Sequence, residues 1–232
     1  MLFRSDEASL RRLAAGAKVI CSTVGPYARY GSALVAACVA EGTHCCDLTG
    51  EVHWMRRMVD AWDAEARRRG VRVVHACGFD SVPSDLGVLE VQRAAVARWG
   101  REAPVVRPYV RSVKGGVSGG TLASMKGLLE EAAADPAVRR VLADPYSLLP
   151  EGAPRGPRVR DVAPATWDGE EGGWIGPFLM APTNAPVVRR SHALRGSPLG
   201  EAFRYREVSW FGPGARGWAR ANGMAVGFGL TV

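Results

Sequence analysis

The stretch Val71–Gly87, with the sequence VRVVHACGFDSVPSDLG, is the part of the chain that decides the predicted fold. Its apolar start, Val71 to Ala76, is typical of a buried strand, and the turn Cys77-Gly78-Phe79-Asp80 ends that strand. Ser84 can then cap a helix whose first turn carries an acidic residue. A strand that delivers glycine and small polar groups to a helix start forms ligand crevices in open α/β sheets. The polar candidates at this strand end are Asp80, Ser81, Ser84 and Asp85.

Two similar strand–helix units come before this stretch. Lys18–Val24 is an apolar strand, and after the turn at Gly25 we expect Ser32 to cap a buried helix over residues 33–41. His44–Leu48 is the next predicted strand, and an amphipathic helix follows it and ends at Gly70. Three strand–helix units in succession predict an α/β fold with a parallel sheet and right-handed crossovers.

The pattern changes after Gly100, where we expect a second, mixed α+β domain. The predicted domains are therefore residues 1–99 and residues 100–232. Pro108 interrupts the first strand of the second domain and indicates a sheet edge or a bulge. The predicted elements of this domain are strands at 105–113, 174–181 and 203–210, helices beginning at Thr121 and Asp135 and spanning 185–194, and a long loop from about 144 to 173.

Composition excludes some classes of function. The chain has 232 residues, 47% of them hydrophobic, which is enough for a substantial core. The net charge of +7 is carried mostly by scattered arginines. Because there is no basic stripe with interleaved aromatic residues, we do not expect a nucleic-acid partner.

Cysteine usage and hydropathy bear on the compartment. All five cysteines lie in the first third of the chain and no secretory signal is visible, so we expect free thiols and a cytoplasmic location. No apolar run approaches the ~20 residues that a membrane-spanning helix needs. The apolar segment Met224–Leu230 makes peripheral membrane contact a further hypothesis.

Several polar residues near the strand ends have two interpretations. Asp47, Thr49 and Glu51 suit either a cofactor contact or helix capping. Ser118 to Thr121 suit either an anion site at a helix start or a plain N-cap. We expect no metal site in His44-Cys45-Cys46-Asp47, because neighbours on a strand point to opposite faces. His75 is expected to be a buried histidine with a hydrogen-bond partner.

Four blocks of the chain resemble the saccharopine dehydrogenase-like oxidoreductases, and especially their trans-acting enoyl reductase branch. The blocks are VICSTVGPYARYGSALVAACVAEGTHCCDLTGE (19–51), VVHACGFDSVPSDLG (73–87), KGGVSGGTLASM (114–125) and FLMAPTNAPVVRRSHAL (178–194). The resemblance implies a Rossmann domain that binds NADP or NAD, followed by a substrate domain. It also implies reduction of a carbon–carbon double bond in an acyl or polyketide intermediate that a separate synthase presents.

The resemblance also assigns candidate site residues. The loop after the first strand is implied to lie beside the nicotinamide and its ribose, together with the turn at Gly78. The candidate cofactor-binding residues are Thr23, Val24, Gly25, Pro26, Tyr27, Gly78 and Phe79. The candidate catalytic residues are Tyr27, Asp80 and Ser118. Tyr27 could deliver a proton or pack on the cofactor as an aromatic lid, and Asp80 could face the crevice or cap its own loop.

The chain departs from the family pattern at its start. Family members open with a strand, a glycine-rich turn and a helix that hold the cofactor pyrophosphate, and Met1 stands just before the third helix of that pattern. We therefore expect a partial Rossmann-type sheet without its first βαβ unit, and a chain shortened at both ends. Its first strand would then be an exposed sheet edge, open to self-association. The alternative function is a non-catalytic scaffold or interaction module.

Overall fold

The structure is a computed structural model that describes residues 6–113, 119–157, 159 and 164–229. The helices of these ranges are α1 (Glu7–Ala15), α2 (Tyr27–Tyr30), α3 (Ser32–Glu41), α4 (Val52–Arg68), α5 (Val82–Trp99), α6 (Gly119–Ala134), α7 (Pro136–Ala143), α8 (Ala181–Leu194) and α9 (Gly214–Gly229), with a 3₁₀ helix at Gly200–Ala202. The strands are β1 (Val19–Ser22), β2 (His44–Asp47), β3 (Val73–Val74), β4 (Val105–Val106), β5 (Tyr109–Val110), β6 (Thr166–Asp168), β7 (Gly173–Gly176), β8 (Arg204–Tyr205) and β9 (Val208–Gly212).

The chain forms two compact units. The first unit comprises Met1–Val82 with Gly116–Ser147, and the second comprises Pro83–Gly115 with Leu148–Val232. This division differs from a single boundary between residues 99 and 100, because α6 and α7 return to the first unit. Within the first unit, α6 forms ion pairs such as Arg29–Glu130 and Arg57–Glu131.

The first unit contains a three-stranded parallel sheet in the order β1-β2-β3. The predicted α/β class, with adjacent parallel strands, is therefore confirmed. One sheet face packs on a core that α1, α3 and α4 share, which includes Val35, Cys38 and Trp54. The other face leaves Val19 57% and Val74 48% exposed. β1 lies at the sheet edge, as the sequence predicts.

Local signals place most helix ends of this unit. The Asp6 carboxylate caps α1 by accepting the Ser9 N–H at 3.2 Å, and Gly42 ends α3 with φ of 76°. The prediction that Ser32 caps α3 is wrong. Ser32 is the first residue of α3, which follows directly on the short helix α2, and its hydroxyl accepts the Trp54 indole N–H at 3.0 Å.

The second unit contains a four-stranded mixed sheet in the order β5-β9-β7-β6 and a separate parallel pair, β4 with β8. The predicted strand 105–113 is divided at Pro108, so β4 and β5 join different sheets. Pro108 lacks an N–H, but its carbonyl accepts the Val208 N–H at 3.1 Å. β6 and α9 were not predicted, and α8 begins four residues earlier than the predicted helix at 185.

A buried polar cluster joins three elements of the second unit. The Glu207 carboxylate, only 3% exposed, accepts the Ser84 hydroxyl at 2.6 Å and the Asn184 amide at 2.9 Å. Ser84 therefore does not cap α5, which begins two residues before it at Val82. Asp85 accepts a hydrogen bond from the Ser191 hydroxyl of α8 at 3.0 Å. The donors to Glu207 give this buried acid the partners that burial requires.

No helix within the described ranges is both long and apolar enough to cross a bilayer. The segment behind the membrane hypothesis lies mostly in α9, where Met224 is 45% and Val226 62% exposed. Leu230 lies outside the described residues. Peripheral membrane contact stays a prediction.

Candidate functional site

The candidate site is the edge of the first unit where its three parallel strands end. We call this edge the crest and define it as residues 23–28 after β1, 48–51 after β2 and 75–81 after β3. Parallel strands bring their carboxyl ends to one sheet edge, so the register of β1, β2 and β3 assembles these loops side by side. All cofactor-binding residues predicted from the resemblance lie within the crest.

Tyr27 is held tightly at the centre of the crest. Its ring is 6% exposed and lies 5.5 Å from the Trp54 ring, centroid to centroid. Its hydroxyl donates to the Ser22 carbonyl at 2.9 Å and accepts the Leu48 N–H at 3.2 Å. Burial raises the pKa of this hydroxyl. The proton that Tyr27 would deliver as a catalyst is thus held in a hydrogen bond to a main-chain carbonyl of β1.

Glu51 organises the loop that contains Tyr27. Its carboxylate accepts the backbone N–H groups of Tyr27 and Ala28 at 2.9 and 2.8 Å, and the Ser124 hydroxyl of α6 at 2.8 Å. Glu51 is 4% exposed. The contacts of Glu51 support helix capping, one of its two predicted roles. The helix that its carboxylate caps is α2, across the sheet edge, and Glu51 itself stands directly before α4.

Asp47 fixes the crest on the β3 side. One carboxylate oxygen lies 2.6 Å from His75 Nδ1, and the other accepts the backbone N–H groups of Thr49 and Ala76 at 3.1 and 3.2 Å. The His75 ring also meets the Trp54 ring edge-on at 5.0 Å. The expectation of a hydrogen-bonded histidine at position 75 is confirmed.

The turn after β3 carries the exposed part of the crest. Ala76 adopts a positive φ of 58°, which reverses the chain toward Gly78. A Cβ at Gly78 would stand 3.4 Å from the Leu48 Cβ, so this turn lies against the β2 loop. Phe79 is 87% exposed, and Asp80 beside it is exposed as well.

Apolar side chains mark the end of each strand. Val24 follows β1, Leu48 follows β2 and Phe79 follows β3, and they are 36%, 43% and 87% exposed. The crest therefore presents one exposed apolar side chain at each strand end, together with the exposed Asp80, on a hydrogen-bonded frame. Such a surface suits a flat ring or an acyl chain more than an ion.

Two predicted features lie apart from this geometry. Ser118 falls outside the described residues; α6 begins one residue later, at Gly119, and its Ser124 reaches the crest through Glu51. Sequence patterns do not reveal the Ser124–Glu51 contact, because 73 positions separate the two residues.

Across the described ranges, no group of three or more His, Cys, Asp or Glu side chains is arranged to hold a metal ion.

Comparison with known proteins points to one group of enzymes. The chain is 47% identical over 210 residues to a Mycobacterium tuberculosis protein whose name places it among the trans-acting enoyl reductases, covering 86% of this chain and 49% of that protein. It is 41% identical over 220 residues to a trans-acting enoyl reductase of the same species, and 39% identical over 219 residues to one from Mycobacterium ulcerans. These two matches each cover 90% of this chain and 51% of the relative.

The chain thus spans about half the length of the curated relatives it matches. No protein-family model matches it, and no solved structure matches it significantly. Its similarity is to trans-acting enoyl reductases, and it extends over nearly the whole chain.

Proposed function

We propose that the chain carries the nicotinamide and substrate end of an NAD(P)H-dependent trans-acting enoyl reductase of the saccharopine dehydrogenase-like family. The single observation that carries this proposal is the crest, where exposed apolar side chains lie at the carboxyl ends of three parallel strands. Ligands of open α/β sheets bind at that edge. Identities of 39–47% to proteins named as enoyl reductases support the reaction class.

The residues of the crest fit a nicotinamide ring. Phe79 offers an exposed aromatic face, and Val24 and Leu48 offer aliphatic contacts on neighbouring strands. Thr23, Gly25, Pro26 and Gly78 complete the predicted cofactor surface through their backbone. In this proposal the first unit is the nicotinamide half of a Rossmann-type domain, with NADP or NAD as the cofactor.

The reaction assigned to this site is reduction of a carbon–carbon double bond conjugated to a thioester carbonyl. A reduced nicotinamide, when bound, supplies the hydride for the β-carbon. Negative charge then develops on the thioester oxygen, and stabilising that charge is usually the largest catalytic contribution. Asp80 and Ser118 stay the polar candidates for substrate contact, while the bonded hydroxyl of Tyr27 favours a positioning role for that residue.

The proposal also includes a partner and a cellular location. A trans-acting reductase works on an acyl or polyketide intermediate that a separate synthase presents, so a synthase is the proposed partner. The five cysteines are free thiols, which supports a reducing, cytoplasmic location.

Titration of the chain with NADPH tests the proposal. We expect saturable enhancement of NADPH fluorescence, and Phe79→Ser should weaken binding about fivefold, equivalent to about 1 kcal/mol of lost aromatic contact. Trp99→Ser is the matched control, because Trp99 is also exposed, at 65%, but lies outside the crest. Absence of binding up to millimolar NADPH would overturn the proposal for this chain and favour the non-catalytic module.

A further inference from the structure

Three thiols gather on the open face of the parallel sheet. Cys21 of β1 and Cys46 of β2 are register partners, and Cys77 follows β3. The Cys77 thiol donates to the Val74 carbonyl of β3 at 3.5 Å. The Cys77 backbone N–H is bonded to the Asp47 carbonyl at 2.7 Å, which fixes its position beside β2.

Solvent reaches this thiol cluster. Cys21 is exposed, Cys46 and Cys77 are partly exposed, and Val19 and Val74 on the same face are about half exposed. The other two cysteines form a contrasting pair. Cys38 and Cys45 lie in the core on the covered face, where they are 0% and 6% exposed.

The register also suits a disulfide. Neighbouring strands lie roughly 4.8 Å apart, and a disulfide needs Cα atoms about 4.4–6.8 Å apart. In-register residues on neighbouring strands also point to the same face, so the Cβ atoms of Cys21 and Cys46 diverge little. Burial raises the pKa of the Cys46 thiol, and oxidation is therefore expected to begin at the exposed Cys21.

We propose that Cys21 and Cys46 form an oxidisable thiol pair, with Cys77 as their neighbour, and that a hydroperoxide converts this pair to a disulfide. Cys21 sulfur attacks the peroxide oxygen, which gives a sulfenic acid and releases an alcohol, or water from hydrogen peroxide. Cys46 sulfur then displaces the sulfenic hydroxyl as water and forms the S–S bond. Two thiols lose two hydrogens and two electrons, and the peroxide takes up both.

This inference goes beyond the proposed reductase function and does not depend on it. The disulfide would tie β1 to β2 one residue before Ser22 and Asp47, both of which hold crest loops. Oxidation would therefore act on the frame of the crest, and a dithiol reductant would reverse it by thiol exchange.

The test treats the native chain with hydrogen peroxide in the presence of a chelator, then counts free thiols and maps crosslinked peptides by mass spectrometry. Wild type should lose two of its five thiols and show a Cys21–Cys46 peptide. Cys21→Ser should abolish the crosslink, and because that side chain is exposed the variant should fold. Cys46→Ser should abolish it too, and circular dichroism checks that this variant is folded.

Two matched controls address the other thiols. Cys38→Ser removes a member of the buried pair, and Cys77→Ser removes the neighbouring thiol; both should crosslink as wild type does. Retention of all five thiols in wild type, or a crosslink that maps to Cys38–Cys45 or Cys46–Cys77, would overturn the proposal.

Discussion

At the residue scale, the buried carboxylate of Glu51 is the contact on which the Tyr27 loop depends most. The Glu51→Gln substitution replaces one carboxylate oxygen, which now accepts a backbone N–H, by an amide N–H₂ group. At least one buried donor then loses its acceptor. We expect the free energy of unfolding to fall by about 2 kcal/mol, the range for hydrogen bonds to charged groups. Urea denaturation followed by circular dichroism measures it.

Glu130→Gln is the matched control for that substitution. Glu130 has a half-exposed side chain that pairs with Arg29 and Lys126 at the surface. Exposed ion pairs contribute about 0–1 kcal/mol, so the control should lose much less. Equal losses in the two variants would mean that Glu51 has no special role in the crest.

Tyr27→Phe separates positioning from proton delivery. The substitution leaves the Leu48 N–H and the Ser22 carbonyl without their partner, and we expect the free energy of unfolding to fall by about 1–2 kcal/mol. If the hydroxyl only positions the loop, reduction of an enoyl thioester by the folded variant should persist. Complete loss of turnover with unchanged stability would instead identify Tyr27 as the proton donor.

At the scale of elements, Glu207 ties α5, α8 and the start of β9 together in the second unit. Burial raises the pKa of its carboxyl above the ordinary value of 4.5, although Ser84 and Asn184 donate to it. As the pH rises from 4.5 toward the raised pKa, the Glu207 carboxyl loses its proton in the unfolded chain but keeps it in the folded chain. The free energy of unfolding therefore falls as the pH rises through that window.

Glu207→Gln should remove that part of the pH dependence. An amide keeps one acceptor for Asn184 and can donate to the Ser84 oxygen, so the cluster stays bonded. Denaturation midpoints measured from pH 4.5 upward should fall less steeply for the variant than for wild type. Glu201→Gln, an exposed position on the 3₁₀ helix, serves as the control, and an unchanged slope in the Glu207 variant would contradict this explanation.

Elements with strong local signals could be predicted from the sequence, and the others could not. β1, β2 and β3 lie within the predicted strands 18–24, 44–48 and 71–76, although β3 keeps only Val73–Val74 of its predicted six residues. β4, β5 and β8 lie within the predicted strands 105–113 and 203–210, but the division of those strands and their pairing with residues about a hundred positions away are specified by no local pattern. α9 escaped prediction because its glycines weaken the helical pattern.

The same limit applies to the site. The loops of the crest were predicted, because glycine, proline and polar residues punctuate each strand end. The partners of Glu51 and Asp47 were left open, since long-range donors to them come from α2, from α6 and from the turn after β3. Self-association along the β1 edge also stays a prediction.

At the scale of the whole molecule, the chain consists of two compact units and matches about half the length of enoyl reductases. The return of α6 and α7 to the first unit could not be predicted, because its contacts, such as Arg57–Glu131 and Ser124–Glu51, join residues more than 70 positions apart. Only the crest of the first unit is proposed to bind the nicotinamide.

Hydrogen exchange of the whole chain with and without NADPH tests that assignment most directly. We predict slower backbone exchange on NADPH addition in peptides that contain residues 23–28, 48–51 and 75–81, with no change in α8 or α9. Unchanged exchange at the crest under conditions where NADPH binds, or protection confined to the second unit, would contradict it.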